Sequence, residues 1–556
     1  MIARKTPQET MPDTMSLYVR QDPRKGRCVA TSGDIKAGTI VHMSLPYACV
    51  PDAEQYESGL RSSQSRSSRA TNASSLSRTS ASRATYKDAP RQHVKLNISC
   101  KGRCERTFYC STDCRDADAG QHTLVCKSIK DLIKIEEQYS THVDPAVEEY
   151  GRLLIMVLAR HFQEVSGALD APSTNVEAVS SIVDDGQPIP KISATYSFSD
   201  MWKLVSNASS YSEDRVRNEF LPVALALTRA VAVHIFPFLP PSILALYSTP
   251  EKLLPESQDE RMIQLAEEAV MTLDTCISSD PLLTSLFEVQ PVLPMKVLSA
   301  SSVSILPKMS QVSVIRLLAS NLSLICKEEC NSFGHYAFTF KGPTFPRQGY
   351  AIAVHPSAVF FNHSCAPNVS HLPRTSAFPG IGIMSFYAVT DIAAGQELCL
   401  SYVGMEGTHN YENPREGREE PTPATASDGS IASGVVDTIT CNARHERALR
   451  RRRALKRVFQ FDCDCARCLV DLVHGVEDGC GDEEEKQRVR ELHDGASLDL
   501  SRVEEVVEDA VARYVCSRDG CLGYFAPAKL LIGDMEERED LEGLSLCVAC
   551  HRVVSF

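Results

Sequence analysis

The sequence predicts an α+β protein. It has a β-rich core drawn from two distant parts of the chain, a large helical insert between them, and cysteine clusters spaced to bind metal. Short β-branched segments occupy residues 16–50 and return after 349, whereas a 3.6-residue apolar periodicity runs through about 130–330. Thirteen of the 21 cysteines fall into three spaced clusters. At 556 residues the chain has room for about two to four domains. The net charge of −13 argues against a chain built to coat nucleic acid and leaves room for basic protein partners. No apolar run is long enough to cross a bilayer, and residues 1–6 lead into no signal segment. The expectation is therefore no membrane, a cytoplasmic or nuclear residence, and cysteines that serve as metal ligands and buried thiols rather than disulfides.

In chain order, 16–19, 28–31 and 39–43 read as strands within an amino-terminal unit 1–56, with a turn at 34–38. Residues 57–86 are almost wholly Ser, Arg, Ala and Thr, a composition that cannot bury a core, so 57–92 is expected to be a disordered insert. The first cysteine cluster fills 93–130. Helical patterns at 131–137, 150–162, 221–235 and 313–326 define an insert over 131–329, with polar loops near 165–195 and 206–215. Strand patterns at 349–354, 382–388 and 396–402 define a core segment over 330–403. A low-complexity loop follows at 404–440, then a basic helix at 443–457 within 441–470. The cysteine-bearing tail spans 471–556. The arginine run 450–453, with Lys456 and Arg457, reads as a solvated helix face in preference to a nucleic-acid site.

The peptide Phe361-Asn362-His363-Ser364-Cys365-Ala366-Pro367-Asn368 is followed about a hundred residues later by Cys463-Asp464-Cys465-Ala466-Arg467-Cys468. Three cysteines packed as CxCxxC cannot close a tetrahedral zinc site, which takes four ligands. Cys365 is the natural fourth donor, and the metal would then join the Asn-His peptide to Phe461. The first cluster offers Cys100, Cys104, Cys110, Cys114, His122 and Cys126. The third offers Cys516 and Cys521 with Cys547 and Cys550, spaced as a four-cysteine ribbon.

The Asn-His-Ser-Cys-x-Pro-Asn peptide, Ser401-Tyr402 and the CxCxxC together resemble the SET domain of protein lysine methyltransferases. A zinc finger near residue 100 narrows the resemblance to the SET-and-MYND subfamily, the fungal members above all. It covers roughly 16–56, 96–130 and 320–470, with a looser match in the tail. The resemblance implies a β-rich SET core interrupted by a MYND finger and a helical insert, a post-SET zinc site and a carboxy-terminal cysteine ribbon. It implies that Lys25-Gly26-Arg27 forms the turn that cups S-adenosylmethionine, although the family usually follows it with Gly where this chain has Cys28. Cys330-Asn331-Ser332-Phe333 resembles a second cofactor segment, with Asn331 the contact. Asn362 and His363 match the pair that hydrogen-bonds the cofactor, Tyr402 the catalytic tyrosine beside the transferring methyl, and Phe461 the aromatic against the adenine. Phe459 stands where many relatives place Tyr.

By family order, Cys100, Cys104, His122 and Cys126 complete one finger site. Cys110 and Cys114 lack the upstream pair of a full MYND finger, for which Cys49 and His93 could substitute. The implied cofactors are S-adenosylmethionine and two to four zinc ions. The implied partners are a protein substrate with a target lysine and a proline-rich peptide at the finger. The tail ends about ninety residues past the CxCxxC, in place of the helical repeats of many animal relatives, which implies a more open substrate cleft. The chemistry suits these residue types. Methyl transfer from a sulfonium is an in-line displacement that chiefly needs alignment. The lysine amine, with an ordinary pKa of about 10.4, must arrive neutral, and an apolar channel favours that form. The rival reading is a SET-MYND protein without activity that serves as an interaction module.

Overall fold

The first predicted strands form as β1 (Leu17–Asp22), β2 (Gly26–Thr31) and β3 (Ile40–Ser44), followed by β4 (Ala48–Pro51). The computed structural model describes residues 17–23, 25–51, 98–104, 106–109, 112–139, 145–167, 192–193, 196–276, 309–337, 348–374, 383–403, 436–477, 487, 500–514, 516, 524–528, 544–547 and 552–555. The expected disordered insert at 57–92 lies outside them, as do His93, Cys110, Cys521 and Cys550.

β1 and β2 pair as an antiparallel hairpin whose turn needs Gly26, at φ +75°. The rest of the β core comes from late in the chain. In the finger, β5 (Ile98–Ser99) pairs with β6 (Phe108–Tyr109), whereas β8 (Ser332–Ala337) and β9 (Gln348–Val354) form a sheet with β4. β11 (Val369–Arg374) and β12 (Ile383–Ala388) form another with β3 and the two-residue β7 (Ile192–Ser193). β10 (Asn362–His363) lies parallel to β13 (Cys399–Leu400). Val19, Val29, Ile35, Phe361, Phe386 and Leu398 are among the side chains that fill the core between them. The predicted strand at 396–402 contracts to two ladder residues because its other backbone groups are taken elsewhere. Leu398 N donates to Val29 O at 2.8 Å, and Tyr402 N to His363 Nδ1 at 3.0 Å.

The insert is helical as expected. Helices Pro145–Ser166, Leu221–Arg229, Glu260–Cys276 and Gln311–Asn331 bury one continuous core that also contains Cys100, Cys104 and Cys126 of the finger. Ser310 caps the last of these, its Oγ accepting from Ser313 N. Helix Thr112–Tyr139 runs unbroken across residue 130, where the sequence reading divides finger from insert. Its buried Asp131 accepts from Arg229 Nε at 2.8 Å and from His234, which locks finger and insert together.

Helix Val436–Phe459 begins inside the segment read as a low-complexity loop. Its arginine run is not the uniformly solvated face expected. Arg451 is 1% exposed and donates to Asp471 Oδ2 at 2.6 Å on the neighbouring helix Ala466–Glu477. A helix turns 100° per residue, so four consecutive positions cannot all face water when one side packs on a partner.

The tail folds back onto the β core. Helix Leu500–Tyr514 and strands β14 (Phe525–Pro527), β15 (Leu544–Cys547) and β16 (Val553–Ser555) form its described part. Tyr514 and Tyr524 stack at 5.1 Å, Tyr387 Oη donates to Phe525 O, and Tyr524 Oη donates to His371 O. Among the described residues, no helix is long and apolar enough to cross a membrane.

Candidate active site and metal centres

The 362–368 peptide passes beneath 397–403, and both of its asparagines hold that crossing. Asn368 accepts from Cys399 N through Oδ1 and donates through Nδ2 to Glu397 O, both at 2.8 Å. Ser364 N reaches Leu400 O at 2.8 Å. The Asn362 amide nitrogen donates to Arg27 O and to Glu397 Oε1, each at 3.0 Å. The fold thus brings the 25–27 turn of the first hairpin against a peptide more than 330 residues away.

His363 is buried, and burial pushes its imidazole down to about 4, so it is neutral. Nδ1 accepts from Tyr402 N at 3.0 Å, which leaves the proton on Nε2, 3.1 Å from Cys365 Sγ. One ring therefore bridges the tyrosine and a candidate metal ligand. Tyr402 donates its hydroxyl to Phe361 O at 2.7 Å, and burial raises its phenol above the ordinary range, so it stays protonated. Its ring lies 5.3 Å from His363, 4.9 Å from Phe459 and 6.4 Å from Phe461. Phe333 and Tyr402 both pack against the β core that holds Phe361 and Phe386.

Lys25 donates its ammonium to Glu397 Oε2 at 2.8 Å, and Arg27 lies over the Phe360 ring. Cys28, where the family has Gly, is buried and accepts from Arg20 Nε at 3.3 Å, so it is accommodated as a core thiol. Asn331 ends the helix Gln311–Asn331, and its amide nitrogen donates to Val205 O and Lys327 O. A Cβ built on Gly26 meets nothing within 4 Å, so open space lies beside the turn where a cofactor would sit. Together with Asn362 Oδ1, the amide atom turned away from Arg27 O, and the Phe461 ring, these residues fit a nucleoside-bearing cofactor.

Two groups of described residues place four ligand atoms within 4.8 Å of one another: Cys100, Cys104, His122, Cys126 and Cys365, Cys463, Cys465, Cys468. Tetrahedral zinc with Zn–S near 2.3 Å requires S···S edges of about 3.8 Å, and S···N edges a little shorter. The observed separations are 3.5 Å for Cys100–Cys104, 3.8 Å for Cys100–Cys126 and 3.6 Å for Cys104–His122. In the second group Cys365 lies 4.0 Å from Cys463 and 3.5 Å from Cys468. Both sets therefore fit a tetrahedral ion. Cys114 sits on helix Thr112–Tyr139, and Cys49 lies on β4 outside either group. Cys516 and Cys547 share a small core with Phe525, while their predicted partners lie outside the described residues.

Three residues here carry no assignment from the sequence. Glu397 is the one charged residue between Asp391 and Glu406, an isolated acid in an apolar stretch, which is a legible signal. Asn368 closes the motif peptide. Asn207, at φ +46°, donates to Phe459 O at 3.1 Å across 252 positions, and nothing local announces it.

This crossing of two segments beside a four-cysteine centre is the architecture of a SET domain. A SET domain family model matches residues 244–403, and a MYND finger model matches 89–126. Histone-lysine N-methyltransferase ASHR2 of Arabidopsis thaliana is 23% identical over 224 residues, 37% of this chain and 45% of that protein. A SET and MYND domain-containing protein of Dictyostelium discoideum is 29% identical over 109 residues, 19% of this chain and 25% of that one. The chain thus spans less than half the length of the curated relatives it matches, and it carries a match to the SET domain and a match to the MYND finger.

Proposed function

We propose that this chain transfers methyl groups from S-adenosylmethionine to lysine side chains of proteins. The observation that supports this most is the junction of Asn362, His363 and Tyr402 with the 25–27 turn on one side and the Cys365 metal centre on the other. When bound, S-adenosylmethionine supplies a methyl made electrophilic by its sulfonium. Gly26 and Asn362 line the cofactor side, and Phe461 offers a ring for a base to stack on. Tyr402 donates its proton to Phe361 O, so toward an incoming amine and the methyl hydrogens its oxygen acts as an acceptor. Held as a neutral phenol, it positions rather than abstracts a proton. Phe333, Phe459 and Tyr402 form an apolar wall that disfavours an ammonium and favours the neutral lysine.

Zinc is the proposed occupant of both tetrahedral groups. The cysteines of both are unbridged thiols, consistent with a reducing cytoplasmic or nuclear setting. The histone named for the Arabidopsis relative is one substrate class worth assaying.

The direct test is calorimetric binding of S-adenosylmethionine to the zinc-loaded chain, beside Asn362→Ala and His363→Ala. Binding by the parent and clearly weaker, still measurable binding in both variants is expected. A folded, zinc-replete parent that binds nothing would remove the enzymatic reading.

A further inference from the structure

The Asn362 amide is used asymmetrically. A primary amide has two N–H bonds, and here one goes to Arg27 O and the other to Glu397 Oε1, each at 3.0 Å. The Arg27 carbonyl can only accept, so the nitrogen must face it and Oδ1 must face away. The group that Asn362 offers a ligand is therefore an acceptor. Arg27 alone would satisfy one N–H and leave the second to compete for that role. Glu397 removes the competition.

Glu397 is itself held. Its side chain is 13% exposed, and its second oxygen takes the Lys25 ammonium at 2.8 Å. Its backbone bridges Ala30, and its carbonyl accepts from Asn368 Nδ2 at 2.8 Å. One carboxylate thus joins three parts of the site: the 25–27 turn, the 362–368 peptide and the strand leading to Tyr402. A carboxylate this shielded needs a counter-charge, and Lys25 supplies it.

We propose that Glu397 is the positioning residue of the cofactor site: by consuming the second N–H of Asn362 it makes that side chain a pure acceptor, and by holding Lys25 it presses the glycine turn against it. This rests on the cofactor reading above. Glu397 does not touch the reacting atoms and acts through Asn362.

The test is a double-mutant cycle on the zinc-loaded full chain, with S-adenosylmethionine and S-adenosylhomocysteine affinities measured by calorimetry, or by competition where binding is weak. Glu397→Ala is expected to weaken both ligands by about tenfold or more, the loss of one charge-assisted hydrogen bond. Glu397→Gln, whose amide oxygen can still accept from Asn362, should fall between the two. In an Asn362→Ala background, Glu397→Ala should cost less than about twofold further, because the residue it acts through is gone. A purely structural role would give the same loss in both backgrounds and would overturn the proposal, as would unchanged affinity in Glu397→Ala. A parent that binds neither ligand would sink the cofactor reading and this one with it. A binding parent with indifferent Glu397 variants would sink this one alone.

Discussion

A Cβ at Gly102 would stand 2.3 Å from Cys126 Sγ, so the turn between Cys100 and Cys104 closes over the finger's last ligand only with glycine there. Gly102→Ala should therefore cost the protein one equivalent of zinc, read by elemental analysis of the purified chain. Full retention would mean that the turn can give way. Legibility at this scale follows the range of each interaction. Asn362, His363, Tyr402 and Phe461 were readable because short peptides identify them, and the fold assembles those peptides with the 25–27 turn. Asn331 is singled out by its motif, whereas the donation of its amide nitrogen to Val205 O, 126 positions away, is something no local pattern reveals. Asn207 and Glu397 owe their roles wholly to distant partners.

Helix Val436–Phe459 carries its information in which side faces its neighbour. Arg451 points at helix Ala466–Glu477, the element that delivers Cys468, and its guanidinium lies 3.9 Å from that sulfur. Arg450 and Arg453 point to water. Arg451→Ala would leave Asp471 without its buried counter-charge, a loss of about 3–5 kcal/mol. Arg450→Ala or Arg453→Ala should stay within about 0.5 kcal/mol. Thermal or denaturant unfolding of the three variants separates them, and equal effects would contradict the placement of Arg451. The existence of this helix was legible from its charge pattern. Its inward arginine was not, because a run of four like residues contains no periodicity from which to read a face. The strand at 396–402 erred in the opposite direction. Its apolar alternation is real, but the crossing beneath it takes the backbone groups that a longer ladder would have used.

The β core as a whole buries several histidines. His42, His335 and His355 are at most 1% exposed. His335 and His355 face each other at 3.1 Å through Nε2, and His355, Ser44, Ser357 and His42 continue the chain of contacts. Burial holds His42 and His335 down to about 4, and His355 well below the ordinary imidazole value, with the neighbouring histidines adding to it. An unfolded histidine titrates near about 6.5, so between there and about 4 the unfolded chain binds more protons and stability falls as pH falls. Glu328 acts with the opposite sign. It is fully buried and burial holds it well above the ordinary carboxylate range, so its contribution declines as pH rises past the unfolded value. The thermal midpoint should drop steeply on acidification through that histidine window, and His42→Leu should flatten the drop. A midpoint insensitive to pH there would show that the cluster is already protonated in the folded state. The division into β core, finger and helical insert was visible in the sequence because periodicity and cysteine spacing are local. How the tail lies on the β11–β12 sheet was not, since it depends on surface fit between Tyr514, Tyr524 and Tyr387.

The crossing at Asn362 also sets a schedule for manufacture. The 25–27 turn leaves the ribosome early, but the carboxylate that holds it is residue 397 and the last cysteine of the neighbouring centre is residue 468. At about 5–20 residues per second, the turn waits on the order of a minute for its partners to be translated. During that interval the nascent first hairpin displays unpaired backbone at Val29 and Ala30, a strand edge open to chaperones. A message cut short between codons 332 and 467 would yield finger and insert without the completed four-cysteine group beside the crossing.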